Sequence, residues 1–225
     1  MALPAGSRND IKAVLFDLDG TLLDTLTDLA DSMNAVLAGF GLPCHCREAY
    51  RYFVGDGLET LARRVLPEEH RSGLMVQRCA TEMQVRYQGH WADKSEPYPG
   101  VAELLDSLAG RGLSLNILSN KPDEFTQLMV GHFLPYWQWS QVRGARHDTP
   151  KKPDPSAALA IADQLHLAPH QFLYLGDTNT DMRTATAAGM YPIGALWGFR
   201  SRQELEEAGA KAVLHQPIEM LRLLP

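Results

Sequence analysis

Two aspartates, Asp17 and Asp19, stand one residue apart at the end of the apolar run in VLFDLDGTLLDT, residues 14–25. Like charges this close repel each other at neutral pH, so a nearby cation is needed to keep both carboxylates ionised. Once the charge is balanced, one carboxylate can attack an electrophile while the other carries a proton. The pair therefore predicts nucleophilic and acid–base chemistry, with an aspartate-capped turn as the structural alternative.

Three further polar clusters lie at or just beyond the ends of predicted elements. They are Ser119 and Asn120, Lys151 and Lys152, and Asp177 and Asp181 of GDTNTD. The oxygens of Asp17, Asp19 and Asp177 are hard ligands that suit Mg²⁺, which keeps waters and substrate phosphate oxygens in its shell. A lysine balances the remaining charge, and Ser119 with the amides after it can donate to phosphoryl oxygens. Together these groups provide what in-line phosphoryl transfer requires.

The elements that must position these clusters alternate between strand and helix. Strands are predicted at residues 12–16, 113–118, 139–144, 172–176, 191–197 and 212–214, and helices at 101–109, 122–132, 155–166, 180–188, 201–208 and the C-terminus. Such alternation predicts an α/β fold, a doubly wound parallel sheet with helices on both faces. Because ligands bind at the carboxyl ends of such strands, we expect the polar clusters to share one edge.

A long helical segment interrupts this alternation. From Thr25 onward, apolar residues recur at the spacing of an amphipathic helix, and residues 47–90 look helical with breaks at 55–57, Pro67 and Gly73. The turn-rich EPYPG at 96–100 returns the chain to the sheet. The predicted domains are therefore an α/β core, residues 1–23 and 93–225, and an inserted all-helical cap, residues 24–92.

Composition narrows the possible partners and compartment. The chain has 225 residues, of which 45% are hydrophobic and 21% charged, and a formal net charge of -6, so no general attraction to nucleic acid or anionic membranes is expected. No segment resembles a signal peptide or a membrane span. The three cysteines suit a reducing compartment. We expect a cytoplasmic protein without nucleic-acid or membrane partners, either monomeric or homodimeric.

The motifs DLDGTLLDT, LSN, KKPDP and GDTNTD, in this order, resemble those of the haloacid dehalogenase-like hydrolase superfamily in its phosphatase branch. The chain is similar in particular to phosphoglycolate phosphatases, through the helical insertion, VGDGLETLARRVL within it, and PYPGV after it. The resemblance implies a Rossmann-like core with an inserted cap. It also implies Mg²⁺-dependent hydrolysis of a small phosphorylated metabolite, 2-phosphoglycolate first, through an aspartyl-phosphate.

The same resemblance implies roles for the four aspartates. Asp17 is the nucleophile, and Asp19 is the general acid for the leaving oxygen and then the base for the hydrolytic water. Mg²⁺ is held by the Asp17 carboxylate, the Asp19 backbone carbonyl and Asp177. Asp181 supports the ion through water or orients the lysine.

Phosphate and substrate contacts complete the expected site. Ser119, Asn120 and Lys152 are expected to hold the phosphoryl oxygens, and Lys152, which precedes Pro153, matches the motif better than Lys151. The cap is expected to close over the site. Its candidate substrate contacts are the loop residues Gly55, Asp56 and Gly57, and Arg63 and Arg64, which can meet a substrate carboxylate.

Alternative functions remain open from the sequence. One is a phosphomutase of the β-phosphoglucomutase type, and another is a phosphatase of a different sugar phosphate, a nucleotide or pyrophosphate. A non-enzymatic alternative is a phospho-aspartate signalling module, against which Asp19 and the large insertion argue.

Overall fold

A parallel sheet of six strands lies at the centre of the structure, a computed structural model that describes residues 10–224. The strands are β1 (Ala13–Phe16), β2 (Leu23–Asp24), β3 (Glu96–Pro97), β4 (Ser114–Pro122), β5 (Trp139–Ala145), β6 (Phe172–Gly176), β7 (Tyr191–Ala195) and β8 (Ala212–Leu214). The order across the sheet is β5-β4-β1-β6-β7-β8, and β2 and β3 form a separate ribbon. All neighbouring strands of the large sheet run parallel, as the sequence predicted.

Helices connect the parallel strands and also form the segment between β2 and β3, which is called the cap below. They are α1 (Leu26–Gly39), α2 (Arg47–Phe53), α3 (Leu58–Val65), α4 (Gly73–Gln88), α5 (Val101–Gly110), α6 (Asp123–Phe133), α7 (Ser156–Gln164), α8 (Asn179–Ala188) and α9 (Arg202–Glu207). Short 3₁₀ helices cover Glu68–His70, Pro169–Gln171 and Pro217–Leu223. None of the helices in residues 10–224 is long and apolar enough to cross a bilayer.

Strand β1 is buried on both faces, which explains why its sequence is continuously apolar. Val14 and Phe16 join a hydrophobic cluster with residues of α5 and α6, whereas Ala13 and Leu15 join a cluster with residues of α7 and α8. The sheet is therefore covered on both sides, and the predicted doubly wound, Rossmann-like core is confirmed.

The helices α1 to α4 have a hydrophobic cluster of their own. On α1 the buried residues Leu26, Leu29, Met33 and Leu37 follow at intervals of three or four, so one stripe of the helix faces its neighbours. The cluster includes buried residues of α2, α3 and α4, together with Phe125 and Phe199 from the core. The cap therefore has its own apolar interior and also packs against the core.

Two connections join the cap to the core, and they lie side by side. The antiparallel ribbon pairs Leu23 with Pro97 and Asp24 with Glu96. The buried carboxylate of Asp28, in the first turn of α1, accepts hydrogen bonds from the Lys94 and Ser95 amides and from the Ser95 hydroxyl at 2.7–2.9 Å. Charge-assisted bonds of this kind hold both connections in one place.

The sequence prediction did not include the β2–β3 ribbon, and it differs from the structure at two further elements. Strand β4, predicted to end before Ser119, continues to Pro122 because its pairing with β5 resumes after a register irregularity, with Pro122 opposite Ala145. The predicted C-terminal helix is a 3₁₀ helix, the form in which short terminal turns often end a chain. The first difference matters for the site, because it places Ser119, Asn120 and Lys121 within a strand.

Candidate active site

The three central strands bring their polar ends to one edge of the sheet. Phe16 at the end of β1 pairs with Ile117 of β4 on one side and with Leu175 of β6 on the other. Just beyond these paired residues come Asp17 after β1, Ser119 and its successors in β4, and Asp177 after β6. Parts of the chain that are distant in sequence therefore meet at the same edge of the sheet. The convergence follows from strand order, since β1 lies between β4 and β6.

Three carboxylates crowd together at this edge. Oxygen atoms of Asp17, Asp177 and Asp181 lie within 4.8 Å of one another, and all three residues are buried. Burial, helped by the charge of Asp181, raises the pKa of Asp17 to about 7, although Lys152 opposes the shift. Burial and then the charges of Asp17 and Asp181 raise the pKa of Asp177 well above its usual value. So much negative charge in a buried place favours binding of a cation.

Lys152 supplies one positive charge to this cluster. Its Nζ donates to Asp181 Oδ1 at 2.7 Å and to the Leu118 carbonyl at 3.0 Å, and lies 2.9 Å from Asp17 Oδ1. Burial alone lowers the pKa of Lys152, but Asp17 and Asp181 together hold it well above its usual value. Lys152 is therefore a charged ammonium group, whereas the adjacent Lys151 is exposed.

The donor set of the cluster fits a divalent cation with oxygen ligands. One Asp17 oxygen, Oδ1, accepts from the Leu18 amide at 2.7 Å and faces Lys152, while Oδ2 accepts no hydrogen bond from residues 10–224. Asp177 is oriented by the Thr21 hydroxyl at 2.9 Å and the Phe199 amide at 2.8 Å. One lysine does not balance three carboxylates, and hard oxygens suit a hard cation.

Asp181 is more fully engaged by protein groups than its two neighbours. Its Oδ2 accepts from the Thr178 hydroxyl at 2.6 Å and the Thr178 amide at 3.1 Å, while Oδ1 accepts from Lys152. A carboxylate that is bonded on both oxygens suits the supporting role predicted for Asp181. That role stays a prediction.

Two glycines allow the carboxylates to approach the backbone so closely. A Cβ at Gly20, whose φ is +85°, would lie 2.4 Å from Asp177 Oδ2, and a Cβ at Gly176 would lie 2.4 Å from the Asp181 side chain. Side chains do not tolerate these distances, and positive φ favours glycine. This is the physical reason for glycine in the DLDGT and GDTNTD segments.

Asp19 lies beside this cluster and has different partners. Its carboxylate accepts from the Thr25 hydroxyl at 2.7 Å and from Lys121 Nζ at 3.0 and 3.1 Å, and its side chain is 17% exposed. It therefore remains reachable from the pocket. Burial alone lowers the pKa of Lys121, but Asp19 and Tyr87 outweigh it and raise that pKa, so Lys121 is a charged partner.

Lys121 is a site residue that the sequence analysis missed. The only sequence signal is its place directly after Ser119 and Asn120, before Pro122, and a single lysine there is compatible with an exposed turn. Its partner Tyr87 belongs to α4 in the cap, and helix periodicity does not reveal which strand residue a helical tyrosine meets.

Ser119 and Asn120 both lie at the site, where both side chains make hydrogen bonds to protein groups. The Ser119 hydroxyl accepts from the Lys121 amide at 3.2 Å. The Asn120 side-chain amide donates to the Gly55 carbonyl at 3.1 Å and the Lys152 carbonyl at 3.0 Å, and accepts from the Lys152 amide at 2.9 Å. Both amide protons of Asn120 therefore serve backbone carbonyls, one from Gly55 and one from Lys152, and the predicted contact of Asn120 with phosphoryl oxygens stays a prediction.

A cavity of about 70 Å³ opens above these residues, between the core and the cap. Its polar side contains Asp17, Asp19, Ser119, Asn120 and Lys121. Its cap side is mostly apolar and is formed by Leu29, Val54, Gly55, Gly57, Leu58, Leu61, Met83, Gln84 and Tyr87. The shape fits a small group placed against Asp17 and Asp19.

The cap contacts the core around this cavity. The Thr180 hydroxyl donates to Asp56 Oδ1 at 2.7 Å, and Arg200 donates to backbone carbonyls of Arg51 and Val54. With the Asn120–Gly55 bond, these contacts hold the 55–57 loop against the core.

The predicted substrate contacts of the cap are only partly brought to the cavity. Gly55 and Gly57 line it, whereas Asp56 bonds to Thr180 and to Arg64 at 2.5 Å. Arg64 also donates to two carbonyls at the end of α2, and Arg63 is exposed. The two arginines do not line the cavity because Leu61 and Val65 take the buried face of α3 and turn them away.

Comparisons with known proteins agree with this geometry. Residues 14–195 match the family model described as haloacid dehalogenase-like hydrolase. A phosphoglycolate phosphatase of Pseudomonas putida is 31% identical over 95% of this chain and 79% of its own length, and one of Xanthomonas campestris pv. campestris is 34% identical over 84% and 85%. The structure of a haloacid dehalogenase-like family hydrolase from Streptococcus pneumoniae superposes with a TM-score of 0.85 at 23% identity, covering 95% of this chain and 98% of the other. These matches confirm the resemblance inferred from the motifs.

Proposed function

Because this chain belongs to the haloacid dehalogenase-like hydrolase family, we propose that it is a Mg²⁺-dependent phosphatase of a small phosphorylated metabolite, with 2-phosphoglycolate as the first candidate. The observation that carries the proposal is the pairing of two carboxylates, Asp17 and Asp19, at one cavity. Asp17 lies 2.9 Å from a buried lysine, and Asp19 lies beside it at the same strand end. The names of the curated relatives support 2-phosphoglycolate as the substrate.

Asp17 is the nucleophile of the proposed reaction. Its carboxylate oxygen bonds to phosphorus while the bond from phosphorus to the leaving oxygen breaks, and Asp19 gives its proton to that oxygen. Water then attacks the aspartyl-phosphate, Asp19 takes the proton from the water, and the bond from phosphorus to Asp17 breaks. The two steps return Asp17 to a carboxylate and Asp19 to its protonated form, and they release the alcohol and inorganic phosphate.

The residues that would hold Mg²⁺ are the Asp17 carboxylate, the Asp19 backbone carbonyl and Asp177, with Asp181 in support. When bound, the ion would neutralise charge on the phosphoryl oxygens. Lys152 orients Asp17 and contributes a second positive charge next to the transferred group. Ser119 lies on the same side of the cavity and offers its hydroxyl to the phosphoryl oxygens.

Residues 24–92 act in this proposal as a mobile cap. The apolar cap side of the cavity excludes bulk water while the phosphoryl group moves to Asp17. The backbone at Gly55 and Gly57 borders the leaving group, and opening of the cap releases the product. The core, residues 1–23 and 93–225, carries the reacting groups.

Assays of phosphate release test this function directly. We expect purified protein with Mg²⁺ to release phosphate from at least one small phosphomonoester. The first to be assayed is 2-phosphoglycolate, beside 2-hydroxyethyl phosphate, which lacks its carboxylate, and beside sugar phosphates, nucleotides and pyrophosphate. Release from none of them would contradict the proposal. Conversion of a hexose 1-phosphate into its 6-phosphate without phosphate release would instead identify a phosphomutase.

Thermal unfolding tests the metal site without any substrate. When the Mg²⁺ concentration is about a hundred times the dissociation constant, binding to the folded protein adds about 3 kcal/mol to the free energy of unfolding. This raises the melting temperature by about 5–10 °C in a chain of this size. We expect this shift for the wild type and a much smaller one for Asp177→Asn. Asp163→Asn, an exposed control on α7, should keep the full shift. The absence of a shift in wild type, compared with matched ionic strength, would contradict the site.

A further inference from the structure

Lys121 occupies an unusual position between the core and the cap. Its side chain is only 4% exposed, and its Nζ lies within 3.1 Å of three oxygens, which are both carboxylate oxygens of Asp19 and the hydroxyl of Tyr87. An ammonium group has three protons to donate. The three contacts therefore use all three ammonium protons of Lys121, so none is left to bind a phosphoryl oxygen in this conformation.

Tyr87 is the cap's contribution to this arrangement. It lies on α4 and is buried, and its ring packs edge-on against Phe125 with the ring centroids 5.2 Å apart. The Lys121 Nζ lies 4.7 Å from the centre of the same ring. The Tyr87 hydroxyl accepts from Lys121 and donates to the Met129 sulfur at 3.9 Å. The tyrosine is thus held in place by Lys121, Phe125 and Met129.

We propose that Lys121 is a positioning residue that aligns the Asp19 carboxylate, and that Tyr87 completes this alignment when the cap closes. The inference deepens the proposed function, on which it rests. If the cap moves away, Tyr87 leaves Lys121, and the Lys121 ammonium exchanges one of its three protein acceptors for water. Lys121 is then held less tightly, and it no longer fixes both oxygens of the Asp19 carboxylate in one position. Proton transfer at Asp19 is thereby linked to cap closure.

The choice of leaving group separates positioning of Asp19 from a general structural role. An alkyl phosphate needs a proton on its leaving oxygen, whereas p-nitrophenyl phosphate releases a stable anion that needs none. A misaligned Asp19 should therefore slow the first transfer only with the alkyl ester. A merely loosened fold should slow both substrates alike.

The test compares wild type with Lys121→Met, Tyr87→Phe and Tyr50→Phe. Tyr50 is a matched control, because it is a buried cap tyrosine whose hydroxyl donates to Asn34 at 2.7 Å and does not contact Asp19. For each variant, kcat is measured with the best alkyl phosphate, and the p-nitrophenolate burst reports the first transfer. Circular dichroism and melting temperature report folding.

We expect Lys121→Met to lower kcat for the alkyl phosphate by about 100-fold or more, which is the rate enhancement that a general acid typically provides. The same variant should slow the burst by less than about tenfold. Tyr87→Phe should lower kcat for the alkyl ester by about three- to tenfold, as expected for one hydrogen bond, and Tyr50→Phe should change neither rate. If Lys121→Met does not fold, Tyr87→Phe still decides the question. If the wild type is active, equal losses with both substrates, or no loss with either, would overturn the inference. If the wild type is inactive, the proposed function itself is overturned.

Discussion

Asp17→Asn is expected to abolish phosphate release while leaving the fold intact. The amide nitrogen cannot attack phosphorus as a carboxylate does, so no aspartyl-phosphate forms, and we expect kcat to fall by about four orders of magnitude or more, as for other enzymes that lose a covalent nucleophile. The fold should survive, because the substitution removes one of three crowded carboxylates and keeps the side-chain shape. Phosphate release and circular dichroism are the measurements.

The same variant allows the covalent intermediate to be sought directly. Acid-quenched wild type should gain the mass of one phosphoryl group during turnover, on the peptide that contains Asp17, and Asp17→Asn should not. Asp163→Asn, which changes an exposed aspartate of α7, is the matched control and should behave as wild type. Full activity of Asp17→Asn would assign the nucleophile to another residue.

The meeting of the aspartates could be predicted from the sequence for a topological reason. Asp17 and Asp177 each directly follow a short buried strand, and such strands in a doubly wound sheet end at a common edge. The structure places these two strands next to each other, with β4 on the other side of β1. The pattern therefore predicted the meeting of these aspartates without any information about distances.

The direction of the cap side chains was harder to predict. The break at residues 55–57 correctly indicated the start of α3, but Arg63 and Arg64 turn away because Leu61, Ala62 and Val65 bury the opposite face. The buried face of α3 could be predicted from the spacing of its apolar residues, whereas the contact between Tyr87 and Lys121 could not be predicted. It depends on how α4 packs over β4, and neither segment encodes the other's register.

Lys152→Met should cause the largest loss of stability among single substitutions at the site. The variant leaves Asp17, Asp177 and Asp181 buried within 4.8 Å of one another without the ammonium group that contacts two of them. Removing one partner from a buried ion pair typically costs about 3–5 kcal/mol, because the remaining charge stays buried and uncompensated. We therefore expect the free energy of unfolding, measured by urea denaturation in EDTA at neutral pH, to fall by about that amount.

The adjacent lysine provides the control for this prediction. Lys151→Met changes the same residue type one position earlier, but Lys151 is exposed, so the free energy of unfolding should change by no more than about 0.5 kcal/mol. Millimolar Mg²⁺ should restore part of the stability of Lys152→Met, because the ion replaces the missing positive charge among the carboxylates. Equal effects of the two substitutions would mean that Lys152 does not compensate the buried charge. A loss that Mg²⁺ leaves unchanged would mean that the carboxylates near Lys152 do not bind the ion, since the electrostatic need for a cation is greatest in this variant.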